Sequence, residues 1–379
     1  MHLTRLALTD FRSYAAADVT LGPGVTTFTG ANGQGKTNLV EAAGYVATFS
    51  SHRVATDAPL IRQGAARAIL RAGIHSAGRD SLVEIEINAG RANRVRLNRA
   101  PVPRPREVLG ELRCVLFAPE DLAVVKGDPD QRRRYLDELL VASRPRYAGI
   151  RADYERALRQ RNALLKSAKA RGGVSPAAME VWDDQLIAAG AELTAGRIRL
   201  VAEIEPLVGR CYSAVSGTQR DTCVRYRMSA SRQTESAAGD GYLPPAEPGP
   251  IAALLREALA ARRRAELERG ISLVGPHRDE LELQIGSLPA RGYASHGESW
   301  SLALALRLAA YQLLRASGED PVLLLDDVFA ELDGDRRDRL AELVGDAEQV
   351  LVTAAVPQDV PAGLAGARYT VAGGEITSG

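Results

Sequence analysis

The segment that decides the fold lies near the start of the chain and reads GVTTFTGANGQGKTNLVEAAGYV over residues 24–46. Residues 24–29 are rich in β-branched and aromatic side chains, which predicts a strand. From Leu39 onward apolar residues recur at helical spacing, which predicts a helix. The turn between them has the pattern G-x-x-x-x-G-K-T of a phosphate-binding loop. The local order is therefore strand, glycine loop, helix.

Each part of this loop has a chemical reason. Backbone N–H groups of the loop and of the helix N-terminus converge on phosphate oxygens, and glycines let the backbone approach closely. Lys36 would reach the β- and γ-phosphates, and Thr37 would ligate Mg²⁺. An ordinary glycine-rich turn is the alternative, but the flanking strand and helix favour a nucleotide site. The candidate binding residues are Gly30, Ala31, Asn32, Gly33, Gln34, Gly35, Lys36 and Thr37.

A second informative segment lies far along the chain, where the apolar run 321–325 ends in Asp326 and Asp327. Such a run is typical of a buried parallel strand. Carboxylates at its end suit a metal site, in which Asp326 would hold Mg²⁺ and Asp327 would polarise the attacking water. Taken alone, the segment also fits a strand followed by a turn. The glycine loop elsewhere in the chain makes the metal site the better interpretation.

A third segment, Ser295-His296-Gly297-Glu298, precedes an apolar run that predicts a helix. It resembles the ABC-type signature motif, in which a Ser hydroxyl and a glycine amide meet the γ-phosphate bound on a second subunit. The physical basis is anion binding at a helix N-terminus. A simple Ser-initiated helix cap has the same appearance. The position shortly before the acidic strand favours the signature motif.

The three motifs in this order resemble the ABC-type ATPase heads of the SMC-like class. A transporter ATPase is disfavoured, because the gap between loop and signature is too long. Within the SMC-like class the chain is similar to the RecF family of bacterial recombination mediators over nearly its whole length. The segments that carry this similarity are FRSY (11–14), GKTNLVEA (35–42), FAPEDL (117–122), DP (128–129), RR (132–133), LD (136–137), GPHRD (275–279) and LDDVF to ELD (325–333).

The resemblance implies an α/β fold, in which an ABC-type P-loop ATPase head is built from both chain ends. An inserted helical domain would form a short antiparallel arm. The predicted ranges are 1–140 and 261–379 for the head and 141–260 for the arm. Helical spacing through Ile150 to Leu165 and through Trp182 to Cys211 predicts the two arm helices. We expect Gly196 and Pro206 to interrupt the second helix, and residues 233–250 to form a loop.

The resemblance also implies roles for individual residues. Residues 30–37 would bind ATP, and Mg²⁺ would be held by Thr37 and Asp326. Lys36, Asp326 and Asp327 would be catalytic, with Asp327 standing where other ABC-type heads carry a Glu. Ser295 and Gly297 would contact the nucleotide of the partner subunit. Asp333 would lie beside the dimer interface.

Two positions depart from the family pattern, Trp300 and Thr353. Trp300 stands where many relatives carry a basic or polar residue, and Thr353 stands where many ABC-type heads carry a sensing His. Neither departure should abolish nucleotide binding. Because Asp327 is shorter than Glu by one methylene, slow turnover is expected.

The function implied by the resemblance is that of a weak, DNA-stimulated ATPase. It would form an ATP-dependent homodimer on double-stranded DNA near gaps, and would help other mediators replace single-strand-binding protein with RecA in gap repair, the SOS response and replication. The alternative is an SMC-like structural clamp in chromosome organisation, which a short arm disfavours. The net charge of +1 means that any DNA-binding surface must be local. The runs 132–134 and 262–264 are either DNA contacts or solvated helix faces.

Several features favour a cytoplasmic protein that binds no membrane. The three cysteines are far apart and lack metal-ligand spacing, which indicates a reducing compartment. No signal-like segment opens the sequence, and no apolar run is long enough to span a bilayer. His277 lies in a turn before a strand, and a structural role is the better interpretation there.

Overall fold

The computed structural model describes residues 1–171, 175–231 and 245–379. In chain order the strands are β1 (His2–Phe11), β2 (Tyr14–Thr20), β3 (Gly24–Thr29), β4 (Arg67–Ser76), β5 (Arg79–Asn88), β6 (Arg94–Leu97), β7 (Ala100–Val102), β8 (Cys114–Phe117), β9 (Thr222–Arg227), β10 (Glu280–Ile285), β11 (Leu288–Pro289), β12 (Val322–Asp326), β13 (Gln349–Ala354), β14 (Ala367–Ala372) and β15 (Glu375–Ser378). The α-helices are α1 (Lys36–Thr48), α2 (Leu122–Lys126), α3 (Pro129–Ser143), α4 (Tyr147–Arg171), α5 (Pro176–Ser216), α6 (Pro248–Arg269), α7 (Ala290–Tyr293), α8 (His296–Ala316) and α9 (Gly334–Val344).

The chain divides into two compact units. The first unit contains residues 1–123, 207–219 and 295–379, and the second contains residues 124–206 and 220–294. Both ends of the chain therefore belong to the first unit. The other boundaries differ from the predicted ranges, because the segments around α3 and around β10 belong to the second unit. The reason is local pairing: Arg132 of α3 forms an ion pair with Glu280 of β10.

The first unit contains a six-stranded sheet with the order β15-β14-β3-β13-β12-β8. All neighbouring pairs are parallel except β14 with β15, which is antiparallel. Every residue of β12 and β13 is buried, which agrees with the predominance of apolar residues in both strands. Because β13 pairs in parallel with both β3 and β12, the carboxyl ends of β3 and β12 lie at the same edge of the sheet.

A second, antiparallel sheet of the first unit has the order β2-β1-β4-β5-β6-β7. Its strands alternate apolar residues on the buried face with polar residues on the solvent face. Leu70 and Ile85 of this sheet belong to the same buried cluster as Val40 and Ala43 of α1. The packing fixes α1, and with it the phosphate loop from which α1 starts.

The second unit combines helices with a three-stranded antiparallel sheet of order β11-β10-β9. The predicted arm helices correspond to α4 and α5. They are antiparallel, because Tyr147 of α4 lies over Gly196 of α5 whereas Arg161, further along α4, pairs with Asp183, earlier in α5. The unit is less purely helical than predicted, and a third helix, α6, packs on α4, where Glu266 accepts a hydrogen bond from Arg161 at 2.6 Å.

The predicted interruptions of the second arm helix were wrong, since α5 runs through Gly196 and contains Pro206. Gly196 is required for packing, because a Cβ there would come within 2.5 Å of the Tyr147 ring. Pro206 costs about 3 kcal/mol in a helix interior. The complete burial of Ile204 and Val208 on either side offsets this cost.

The predicted loop over residues 233–250 is only partly described. Residues 233–244 lie outside the described part of the chain. Pro248 and Pro250 belong to the first turn of α6 and not to a loop. Proline is tolerated there because the first N–H groups of a helix have no partner within the helix. Within the described residues, no helix is both long and apolar enough to cross a membrane.

Candidate nucleotide site

The phosphate loop joins the end of β3 to the start of α1, as the sequence predicts. Gly33 and Gly35 adopt positive φ angles of 82° and 111°, which side-chain-bearing residues rarely adopt. Gly35 also has no room for a side chain, because a Cβ would lie 2.9 Å from the Tyr14 hydroxyl. That hydroxyl donates to the Gly35 carbonyl at 3.1 Å. Glycine is therefore required by both the backbone geometry and the packing.

Lys36 is the first residue of α1, and its side chain is folded back over the loop. Its Nζ donates to the carbonyl of Gly30 at 2.6 Å and to that of Ala31 at 3.1 Å. The side chain forms no ion pair within the described residues, although it is almost completely buried. The ammonium group is thus held at the loop, where a phosphate anion would complete its coordination.

Thr37 and Asp326 are brought together from opposite ends of the chain. The Thr37 hydroxyl donates to Asp326 Oδ1 at 3.0 Å. The Thr353 hydroxyl donates to the same oxygen at 2.6 Å, and it also accepts from the backbone N–H of Asp327 at 3.0 Å. Burial raises the pKa of Asp326 to about 6, although both hydroxyl donors oppose the increase.

Asp327 lies beside the loop in a strained conformation. Its φ of 52° is in the left-handed region, which is uncommon for a residue other than glycine. It lines a cavity of about 330 Å³ together with loop and helix residues. The other lining residues are Asn32, Gly33, Gly35, Lys36, Thr37, Asn38 and Arg53. The structure therefore places the carboxylate predicted to orient water next to the predicted phosphate site.

The remaining loop residues have more peripheral positions. Ala31 is exposed, and Gln34 Oε1 accepts from the backbone N–H of Gly373 at 2.6 Å. Gly30, Ala31 and Gln34 are not among the residues that line the cavity. The candidate ligand contacts within the loop therefore come from Asn32, Gly33, Gly35, Lys36 and Thr37.

A network beside the cavity was missed by sequence reasoning. Glu41 of α1 is fully buried and accepts two hydrogen bonds from Arg12, at 2.8 and 2.6 Å. Burial alone would raise the pKa of Glu41, but the hydrogen bonds from Arg12 and Ser51 and the charge of Arg53 hold it below its usual range. Arg12 belongs to the FRSY segment and Glu41 to the helix, so no spacing rule links them. The network fixes α1 and brings Arg53 to the cavity.

Ser295 and Gly297 lie at the N-terminus of α8, away from the lining of this cavity. Ser295 Oγ accepts from the backbone N–H of Glu298, and the Glu298 carboxylate accepts from the backbone N–H of Ser295 at 2.9 Å, so the segment is a complete capping box. This geometry fits a simple helix cap. It also fits a signature motif, because Ser295 is exposed and can be reached by a second subunit. In one chain the signature residues and the phosphate loop are not brought together.

Arg336 links the signature segment to the start of α9. Its guanidinium donates to Ser301 of α8 at 3.0 Å and pairs with Asp333, which caps α9. A Cβ on Gly297 would lie 2.9 Å from Arg336 Nη2, so glycine leaves room for this contact. The exposed Asp333 and the half-buried Gly297 therefore lie beside the same guanidinium.

The two departures from the family pattern have different consequences. Trp300 is buried in α8, and its Nε1 finds no partner among the described residues, so it acts as a core residue. Thr353 occupies the end of β13 between β3 and β12, where it holds Asp326 and the Asp327 backbone. Its role was not predicted from the sequence, because a threonine at a strand end carries no distinctive signal.

The structural interpretation of His277 agrees with the geometry. Its ring bonds to the Tyr154 hydroxyl at 2.6 Å and to the Ser272 carbonyl at 3.2 Å, and burial lowers its pKa to about 4. The arginines of the run 132–134 have partners within the chain. Arg132 is buried against Glu280, and Arg134 pairs with Glu138 at 2.7 Å. In the run 262–264, Arg264 pairs with Glu268.

Comparisons with known proteins agree with this geometry. Residues 2–363 match the family model described as the RecF/RecN/SMC N terminal domain. The DNA replication and repair protein RecF of Frankia alni is 60% identical to this chain over 380 residues, which covers 99% of both chains. The corresponding protein of Streptomyces avermitilis is 57% identical over 381 residues, again with 99% of both covered.

Solved structures give the same result. The recombination mediator protein RecF with ATPrS, from the RecFOR pathway, has a TM-score of 0.88 and 26% identity, and the match covers 100% of this chain and 98% of that one. An Smc head bound to the C-winged helix domain of ScpA has a TM-score of 0.57 at 16% identity, with 100% and 97% covered. The latter similarity shows a shared fold.

Proposed function

The chain belongs to the RecF family of DNA replication and repair proteins, and we propose that it is an ATP-dependent DNA-binding mediator of recombination. ATP binding is supported by one observation: Thr37 of the phosphate loop donates a hydrogen bond to Asp326 at the carboxyl edge of the parallel sheet. The DNA part rests on family membership. We place its activity in the cytoplasm, on double-stranded and gapped DNA, together with other mediators and RecA.

The site residues fit ATP and Mg²⁺. Threonine hydroxyl and carboxylate oxygens are the ligands that Mg²⁺ prefers, and the buried Asp326 has no cationic partner among the described residues. Thr37 and Asp326 would hold the ion, which when bound would neutralise charge on the phosphates. The N–H groups of residues 33–37 and the Lys36 ammonium would bind phosphate oxygens.

Asp327 is the residue that we expect to promote ATP hydrolysis. Asp327 lines the cavity and keeps its backbone in place through Thr353, so its carboxylate would orient the attacking water. The carboxylate is carried on a shorter side chain than the Glu of other heads, and its backbone is strained. We therefore expect slow turnover, and membership of the RecF family leads us to propose that DNA accelerates it.

Dimerisation would complete each site with Ser295 and Gly297 of the partner. Ser295 caps α8 and Gly297 lies in its first turn, where the N–H groups carry partial positive charge. The γ-phosphate would supply the matching negative charge, so ADP should not support association. This arrangement explains why one chain alone leaves the signature segment outside its own cavity.

The length of the helical pair favours a mediator over a long-range clamp. The antiparallel pairing involves α4, whose 25 residues span roughly 38 Å at about 1.5 Å per residue. A clamp that joins distant DNA segments needs far longer helices. We therefore keep recombination mediation as the proposed function.

The test of the proposal is the oligomeric state with different nucleotides. Sedimentation velocity should show monomers with no nucleotide or ADP, and dimers with Mg²⁺ and a slowly hydrolysed ATP analogue. Ser295→Asp keeps a helix-capping acceptor but places negative charge against the γ-phosphate, so it should abolish the dimer, whereas Ser295→Thr should retain it. If Ser295→Asp dimerises like the parent, Ser295 is only a helix cap.

A further inference from the structure

Residues 91–106, which we call the arginine hairpin, form a strongly basic stretch of the described chain. Its sequence RANRVRLNRAPVPRPR contains six arginines and no acidic residue. All six are exposed. The stretch comprises β6, β7 and the segments on either side, at one edge of the antiparallel sheet in the first unit.

The arginines of the hairpin are largely free of acidic partners. Among the described residues, Arg94 lies 4.0 Å from Glu86, and the other five form no ion pair. The nearest acids on β5 are already occupied by β4, since Glu84 pairs with Arg71 at 3.0 Å and Glu86 with Arg67 at 3.4 Å. In the register of β5 and β6, Glu84 lies opposite Arg96 and Glu86 lies opposite Arg94. Because each of these two acids also pairs with an arginine of β4, the hairpin keeps an excess of positive charge, although the net charge of the chain is only +1.

The tip of the hairpin is strained. Asn98 and Arg99, the two residues between β6 and β7, have φ angles of 51° and 70°. A two-residue turn of this kind prefers Asn-Gly, because both positions need positive φ. An arginine at the second position costs roughly 1–2 kcal/mol. The exposed guanidinium of Arg99 is therefore carried on the turn between β6 and β7.

The composition of the hairpin disfavours three kinds of partner: an added β-strand, a protein with apolar anchor residues, and unpaired bases. Pro101 lies within the edge strand β7 and Pro103 follows it, and their missing N–H groups prevent another chain from adding a strand there. The hairpin also lacks exposed large apolar side chains, which anchor protein interfaces. It contains no aromatic residue on which an unpaired base could stack.

We propose that the arginine hairpin is a contact surface for the phosphate backbone of double-stranded DNA. Duplex DNA carries about one phosphate charge per 1.7 Å of helix axis, which is a higher charge density than that of a single strand. Its bases are already paired, so binding needs no aromatic side chain on which a base could stack. Arg94 and Arg96 point to the same face of β6, so they meet consecutive phosphate groups while Arg99 extends the surface at the tip. This inference rests on the proposed function and names the surface that carries its DNA part.

The test measures duplex binding by the full-length chain with Mg-ATP. Fluorescence anisotropy would follow a duplex of about 30 base pairs, and a single strand of the same length, across about 50–200 mM salt. In the triple variant Arg96→Gln, Arg99→Gln, Arg104→Gln, the slope of log K against log salt should fall by about 2.7, because each lost phosphate contact removes about 0.9. Duplex affinity should fall at least tenfold.

Two control variants test whether a loss of duplex binding comes from the position of the lost charge and not from total charge or from lower stability. Arg156→Gln, Arg159→Gln, Arg256→Gln removes the same charge from exposed arginines of α4 and α6 that pair with acids, and it should bind duplex like the parent. Arg99→Gly relieves the turn, so it should be at least as stable as the parent and yet bind duplex more weakly.

Several outcomes would overturn the inference. Equal slopes for the parent and the hairpin variant would remove the assignment, as would an equal loss in the α4 and α6 control. Poly-glutamate bound more tightly than duplex, with that binding lost in the hairpin variant, would assign the surface to an acidic protein. A parent that binds no duplex with Mg-ATP would refute the proposed function itself.

Discussion

Replacing Thr353 by valine is a direct test of how the acidic strand end is held. Valine has nearly the shape of threonine but no hydroxyl. The change removes the 2.6 Å hydrogen bond to Asp326 and the 3.0 Å hydrogen bond from the Asp327 N–H. Thr353 is only 1% exposed, so water cannot replace either bond.

The magnitude follows from these two contacts. A buried N–H left without an acceptor costs about 1–3 kcal/mol, and a hydrogen bond to a carboxylate contributes about 1.5–3 kcal/mol. Loss of the Thr353 donor raises the pKa of Asp326 further, so this carboxylate is protonated more easily. Its protonation offsets part of the free energy lost with the hydrogen bond to the carboxylate. We therefore expect the free energy of unfolding to fall by about 2–4 kcal/mol. Thr353→Ser keeps both bonds and should lose about 0.8 kcal/mol for one methyl group.

Urea denaturation without nucleotide gives the unfolding free energy, and single-turnover hydrolysis with Mg-ATP gives the chemical step. Thr353→Val should hydrolyse ATP more slowly than Thr353→Ser, because the Asp327 backbone is no longer anchored. A merely structural threonine would change the first measurement and leave the second unaltered. If the two variants agree in both measurements, the hydroxyl does not hold the site.

The other predictions concern the loop, the water-orienting carboxylate and a buried histidine. Lys36→Met should weaken ATP binding at least tenfold, about 1.4 kcal/mol, in titration calorimetry; unchanged affinity would contradict the phosphate-loop assignment. Asp327→Asn should retain Mg-ATP but slow single-turnover hydrolysis by about 10²–10⁴, as loss of a general base does; an unchanged rate would exclude that role. Because the folded pKa of His277 is about 4 against about 6.5 unfolded, the unfolded state binds the proton first. The parent should therefore lose up to about 3 kcal/mol between pH 6.5 and 4, whereas urea denaturation of His277→Gln should lack this component.

The fold around the phosphate loop was predictable because its signals are local. Residues 24–29 and 36–48 form the strand and helix that their own side chains favour, and the glycines meet backbone requirements of the turn. The parallel strand before Asp326 was equally clear. Thr37 and Asp326 could be expected to meet because the carboxyl ends of parallel strands share one edge.

What could not be predicted depends on contacts between distant residues. The pairing of Arg12 with Glu41, the hydroxyl of Thr353 and the packing of α6 on α4 each require the assembled structure. Pro206 was misjudged for the same reason, since the local cost of proline is smaller than the burial that the surrounding helix achieves. The signature segment stays ambiguous, because its capping box fits a simple helix cap as well as a signature motif.

The distribution of arginine shows why local charge is a better guide to DNA contact than arginine count. In the second unit Arg161, Arg197 and Arg132 are buried against acids of other elements, where they order the helices and the small sheet. Removing one partner of such a pair leaves a buried charge, so these arginines are retained for folding. A phosphate backbone can attract only cations that no carboxylate has already neutralised. Consecutive arginines on a helix usually find acids one turn away, whereas the arginine hairpin has none within its own sequence, and its edge position removes neighbours on one side.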